Sequence, residues 1–207
     1  MISLLAAALL ASSPPTPPAQ PASAAVIQPA LDTPQERQAL RKLTICVAGL
    51  RPRWARAMIA FPYLSDPQAS AAAQVVSGHD NCLGAPEVAV AFRTSGVVGS
   101  VAEYFVRSEM TRTDPQRLAN ALATVPPLNV SEDFALCLAA RNPKAALDLA
   151  LSDPGSAAEA GAAGLVSKSV PSCTKPGERL DVDLQAMRAM VATALYRGVA
   201  VATGAQN

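Results

Sequence analysis

Apolar residues recur at helical spacing along most of this chain. Leu40, Leu43, Val47 and Leu50 fall three or four positions apart, as do Leu184, Met187, Val191 and Leu195. Such spacing puts each set on one face of an α-helix. Start signals precede these runs. Thr33-Pro34-Gln35-Glu36 reads as a capping box with proline in the first turn, and Asn129-Val130-Ser131-Glu132 reads as a second box. Pro52 opens a short helix to about Ala60, and Asn142-Pro143 does the same later. Asp66-Pro67 and Asp153-Pro154 each suggest a cap followed by a helix, the first ending at Gly78 and the second near Ser167. Ser95 is expected to cap a helix to about Met110. Asp114 is expected to cap a short helix ahead of Pro126-Pro127. Leu184 to Ala202 is the last helix. A short stretch near Glu87–Phe92 and another over Thr174–Asp183 read as irregular. The predicted class is all-α.

The same order of signals occurs twice. Cys46 and Cys82 lie 36 positions apart, and so do Cys137 and Cys173. A shift of 91 superposes both pairs and also brings Ala48 onto Ala139, Pro52 onto Pro143, Ala55 onto Ala146 and Glu87 onto Glu178. A shift of 90 brings Val101-Ala102 onto Val191-Ala192 and Arg107 onto Arg197. This pattern predicts two tandem helical units, 32–110 and 129–202, joined by a connector over 111–128 and followed by a disordered tail, 203–207. Four cysteines allow three pairings, and the equal spacing selects Cys46–Cys82 and Cys137–Cys173. Metal binding by four thiolates calls for closely spaced cysteine pairs, which are absent, as is the C-x-x-C of a redox site.

The first residues differ from the rest. Residues 2–11 form an apolar run of signal-peptide length, too short to span a bilayer. No lysine or arginine precedes it, which a mis-assigned start codon would explain. Ala22-Ser23-Ala24 fits a cleavage site, giving a signal over 1–24; Ala11-Ser12-Ser13 is the rival, with Pro14 next to the cut. A buried N-terminal helix is the alternative to export. Residues 12–30 hold six prolines and no charge, so a disordered spacer is expected, of which 25–31 would remain after cleavage. The location implied is periplasmic or secreted, where cysteines oxidise.

Composition narrows the function classes. Half of the residues are hydrophobic but only 4% are aromatic, which suits close helix packing of small and aliphatic side chains. A net charge of +1 makes no general case for nucleic acid. One histidine disfavours most catalytic zinc sites. No metal or cofactor is expected, and no P-loop, dinucleotide fingerprint or G-x-S-x-G is present.

Three constellations remain as candidates. Ser77, His79 and Asp80 hold the residue types of a hydrolase triad, but lie too close along one loop for the relay geometry. Glu87 and Glu178 are the acidic pair that the two units share, a candidate acid and base for hydrolysis. Local ion pairs, with Arg107 and Arg197 suited to helix ends, are the plainer expectation. Arg51, Arg53, Trp54 and Arg56 form a basic, aromatic cluster private to the first unit, suited to an anionic surface. An ordinary charged helix face is its rival. Asn129-Val130-Ser131 matches a glycosylation sequon but reads better as a helix cap.

Cys46-Val47-Ala48, Cys137-Leu138-Ala139 and Ala192–Arg197 resemble a pattern found in a group of secreted alphaproteobacterial helical proteins with paired-cysteine repeats. The resemblance covers most of the chain after Asp32 and implies export and helicity, with no assigned activity. A non-catalytic exported scaffold, or a module that binds an envelope protein or peptide, is the function expected. An envelope hydrolase using Glu87/Glu178 and membrane-surface association through Arg51–Arg56 with Trp54 are the alternatives. Oligomeric state is left open.

Overall fold

The computed structural model describes residues 33–76, 82, 93–110, 114–175 and 182–204. The signal and spacer segments, Ser77, His79, Asp80, Glu87 and Glu178 lie outside these, as do most of the two irregular stretches and the last three residues. Among the described residues there are ten helices and no strand. They are α1 (Pro34–Leu50), α2 (Pro52–Ala60), α3 (Asp66–Val76), α4 (Thr94–Glu109) and α5 (Pro115–Thr124). The others are α6 (Val130–Arg141), α7 (Pro143–Leu151), α8 (Ala157–Ser167), the single turn α9 (Val170–Cys173) and α10 (Leu184–Thr203).

Caps explain most boundaries. Thr33 and Glu36 form the reciprocal box at α1, and Asn142, Asp114 and Asp183 each accept a backbone N–H at the helix that follows. Three starts differ from expectation. Asp153 and Pro154 lie in a turn, and Ser156 caps α8 instead. Ser65, not Asp66, offers its hydroxyl to the first turn of α3, at Gln68 N. α4 begins at Thr94 after Arg93, without a side-chain cap. Asn129 caps α6, but Glu132 does not complete the box; its carboxylate accepts from Tyr63 N and Leu128 N instead.

α10 lies at the centre. It packs most extensively against α4, and also against α5, α6 and α7. Its buried residues run from Gln185 to Ala200 on almost every face, so it is enclosed by other helices rather than half-exposed. The residues read as a connector are part of this core, because Leu118, Leu122 and Val125 of α5 and its C-cap are buried. Close approach depends on small side chains. A Cβ on Gly99 would stand 2.5 Å from the Cα of Ala189. Backbone cannot swing aside as a flexible side chain can, so Gly99→Ala must push α4 from α10. It is expected to cost about 1–3 kcal/mol, read as a lowered urea midpoint with unchanged slope.

Two disulfides are present. Cys46 on α1 is bonded to Cys82, and Cys137 on α6 to Cys173 on α9. The loops after α2 and α7 are built alike. Leu64 and Gly155 both adopt positive φ, at 60° and 80°. The N–H of each donates to a side chain four residues on, Leu64 to Gln68 at 2.8 Å and Gly155 to Glu159 at 2.7 Å. Two long-range bonds also reach these loops. Gln38 on α1 donates to the carbonyl of Pro154, and Asn129 at the start of α6 donates to the carbonyl of Tyr63.

Candidate functional site

Among the described residues, the largest convergence of charge lies where α1, α4, α8 and α10 meet. Its origin is the loop after α7. Gly155, in its left-handed conformation, turns the chain beside Pro34, and a Cβ there would come within 2.6 Å of that proline. Ser156 then starts α8 and brings Glu159 inward to 1% exposure. Gln68 occupies the corresponding place after α2 and is also fully buried, but neutral.

Glu159 accepts from Arg37 Nη2 at 3.0 Å and from Arg188 Nη1 at 2.8 Å. Arg188 also grips Glu103 with two parallel bonds, Nε to Oε1 at 2.6 Å and Nη2 to Oε2 at 2.8 Å. Its remaining bonds go to Ser152 Oγ at 3.2 Å and to the carbonyls of Ser152 at 2.8 Å and Ala150 at 3.3 Å. A guanidinium has five N–H donors in a planar fork, and every nitrogen here is engaged. Burial works against the Arg188 charge, but the bonds and fields of Glu103 and Glu159 prevail and raise its pKa above the ordinary value.

At the rim, Arg41 donates to Asp153 at 2.6 Å. That bond, and then the Arg41 charge, holds the exposed Asp153 carboxyl below its usual range. Arg107 donates to the carbonyl of Leu151, the last residue of α7, at 2.6 Å. Partial burial, and next the neighbouring Arg41 charge, lower the Arg107 pKa.

The cleft beside this network is lined by Arg37, Arg41, Gly96, Gly99, Gln185 and Arg188. It has space for about one water, some 20 Å³. Substrate and cofactor pockets are usually larger than about 300 Å³. Gln185 Oε1 is buried there without a hydrogen-bond partner, so the cleft suits a single small donor. The arrangement holds four helices in register; the donors of Arg188 are already spent on protein acceptors.

A second network ties the other side. Glu132, 3% exposed, pairs with Arg197, whose Nη2 also donates to the carbonyl of Pro126 at 2.9 Å. Beside it, Tyr63 is buried. Burial, and then the field of Asp183, raise its hydroxyl pKa above the ordinary 10.0. Above pH 10 the unfolded chain releases this proton while the folded chain keeps it, so stability is present below pH 10 and falls as pH rises beyond it. Tyr63→Phe is expected to flatten that alkaline fall, measured by urea titration on both sides of pH 10.

The candidate residues from the sequence fare differently. Glu87, Glu178, Ser77, His79 and Asp80 lie outside the described residues. Arg51 and Arg53 are exposed, and Trp54 is half-buried against the core. Arg56 is also partly exposed, with 40% of its side chain open to solvent, but it has partners. Its guanidinium lies 4.1 Å over the Phe105 ring and pairs with Glu109, with a longer bond to Tyr196. Burial opposes its charge, but Glu109 and Tyr196 raise its pKa. Both polar atoms of the Asn129 amide make bonds, the oxygen accepting in the α6 cap and the nitrogen donating to the carbonyl of Tyr63. Arg107 and Arg197 bind carbonyls at the ends of other segments rather than only their own helix dipoles.

Glu103, Glu159 and Arg188 were not singled out from the sequence, and Glu132 was read only as a capping-box residue. One signal was available: Arg188 directly follows Met187 on the apolar stripe of α10, where an ionisable group needs a partner. Among the described residues, no group of three or more His, Cys, Asp or Glu is placed to hold a metal, and no helix is long and apolar enough to cross a membrane. No family model, curated protein or solved structure matches this chain.

Proposed function

We propose that this chain is an exported, non-catalytic helical scaffold or protein-binding module of the cell envelope, made by duplication of one disulfide-stapled unit. The observation that carries the non-catalytic reading is the fate of the buried charges. Arg188, Glu103, Glu159 and Arg37 are spent on one another, beside a cleft of about one water. A catalytic set keeps groups facing a space in which a substrate can sit.

Duplication draws support from the matching elements. α2 and α7 have nine residues each, and α3 and α8 have eleven. The reciprocal Gln38–Pro154 and Asn129–Tyr63 bonds are the pattern of a two-fold interface, in which each partner supplies the same patch. Export draws support from the two disulfides, which oxidising compartments produce, and from the resemblance to secreted alphaproteobacterial helical proteins. The hydrolase alternative rests on Glu87 and Glu178 and has no observation among the described residues to favour it.

Cell fractionation with thiol trapping tests export. The expected product begins at Ala25, sits in the periplasm or medium, and has all four cysteines blocked to alkylation. Turnover of a cell-wall or ester substrate by the purified protein, lost in Glu87→Gln, would overturn the non-catalytic reading. Capture of a defined envelope protein by the tagged chain, abolished by a surface substitution, supports the binding role.

A further inference from the structure

We infer that the corner between α1 and α2 docks on the surface of an anionic phospholipid bilayer. The sequence from Arg37 to Ser65 carries six cations and no acid. The structure divides them into two sets. Arg37, Arg41 and Arg56 pair with Glu159, Asp153 and Glu109. Lys42, Arg51 and Arg53 are exposed, and no acidic group pairs with them among the described residues.

Apolar side chains accompany these three cations. Leu50 is 67% exposed and Ile45 41% exposed, with Lys42, Ile45 and Gly49 on one open stripe of α1. Trp54 follows directly, half-buried against the core. Exposed leucine beside unpaired cations and an amphipathic indole is the chemistry of a headgroup interface: the apolar groups enter the acyl boundary and the cations meet lipid phosphate.

The corner between α6 and α7 shows what the same turn looks like without this chemistry. Asn142 there caps α7, accepting from Ala145 N at 3.1 Å, and Lys144 is paired with Asp148 at 2.7 Å. Leu136, in the place of Ile45, is buried. At the first corner Arg51 stands where a cap belongs and makes no side-chain cap bond. Arginine there gives up a stabilising interaction that the other corner keeps, and the return is an uncompensated positive charge at the apex. Contact is peripheral, since no described helix could span a bilayer. The inference does not depend on the scaffold proposal above.

Trp54 is the chain's one tryptophan, so its fluorescence reports on this corner alone. The full oxidised protein is mixed with neutral phosphatidylcholine vesicles and with vesicles enriched in phosphatidylglycerol. Co-sedimentation with the anionic vesicles is expected, with a blue shift of Trp54 emission, both weakened by salt. Each basic residue near an anionic surface contributes about a fivefold factor in binding, so Arg51→Ala with Arg53→Ala should weaken it about thirtyfold. Leu50→Ala should reduce the blue shift. Arg117→Ala with Lys168→Ala removes the same charge from exposed sites on α5 and at the C-cap of α8 and should leave binding within about twofold. Thermal midpoints of all variants should match the parent, because these side chains are exposed.

Four results would overturn the inference. They are no binding to anionic vesicles, equal binding to neutral ones, equal loss in the two double variants, or binding to an acidic polypeptide in the absence of any vesicle binding.

Discussion

Reduction of both disulfides is expected to bring the protein close to its unfolding midpoint at room temperature. Each bridge spans a sequence separation of 36, and the two loops do not overlap. The chain-entropy model assigns a loop of that size about 3–4 kcal/mol, so removing both costs about 7 kcal/mol. A domain of this size has about 5–15 kcal/mol in total. The core is short of large side chains, with aromatics at 4% of residues, and has little surplus to cover the loss. Urea titration with and without reductant measures it. Cys46→Ala with Cys82→Ala, and Cys137→Ala with Cys173→Ala, should each remove about half. A total loss below about 1 kcal/mol would mean that helix packing alone holds the fold.

Arg188→Met is expected to cost about 3–5 kcal/mol. The substitution preserves much of the side chain's volume, so cavity formation is not the main cause. The cost comes from Glu103 and Glu159, which are 6% and 1% exposed. The Glu103 carboxylate would lose both of its bonds to Arg188, and that of Glu159 would keep only Arg37 and Gly155 N. Buried carboxylates without their partner are far more expensive than a missing ion pair. This origin makes a second outcome specific. Adding Glu103→Met to Arg188→Met should restore most of the loss, because Glu159 keeps Arg37 and Gly155 N as partners and no buried charge is then left without a counter-charge. If the double variant is no more stable than the single one, the Arg188 contribution is packing and carbonyl bonding rather than charge compensation. Chemical denaturation followed by far-UV circular dichroism separates these cases.

Much of the helix framework is legible in the sequence. The Thr33–Glu36 box, Pro52, Asn142-Pro143 and Asp114 mark helix starts through local hydrogen bonding and proline geometry, which need no distant partner. The equal cysteine spacings point to the same two bonds that the structure contains. Where local signals competed, the sequence misled. Asp153-Pro154 has the form of a cap and first turn, yet Asp153 is taken by Arg41 of α1, 112 positions away, and Ser156 becomes the cap. Glu132 has the place of a box residue but is drawn to Tyr63 N and Arg197. Arg56 has the look of a free surface cation, yet at the surface it is held by Glu109 and lies over the Phe105 ring. In each case a long-range partner outweighed a neighbour along the chain.

By itself the sequence determined that this protein is helical, where most helices start and which cysteines are equally spaced, since these follow from periodicity, caps and counting. Only the tertiary structure decided which charges face inward. Glu159, Arg188 and Glu103 are ordinary polar letters in three separate helices, 29 and 85 positions from one another along the chain. Their burial depends on α4 and α10 coming together at Gly99 and Ala189, a contact that no local pattern announces. The same packing separated the six cations of the first corner into three that meet an acid from a distant segment and three that face outward without one. Pairing depends on where an acid from another helix arrives, and that is a property of the assembled fold.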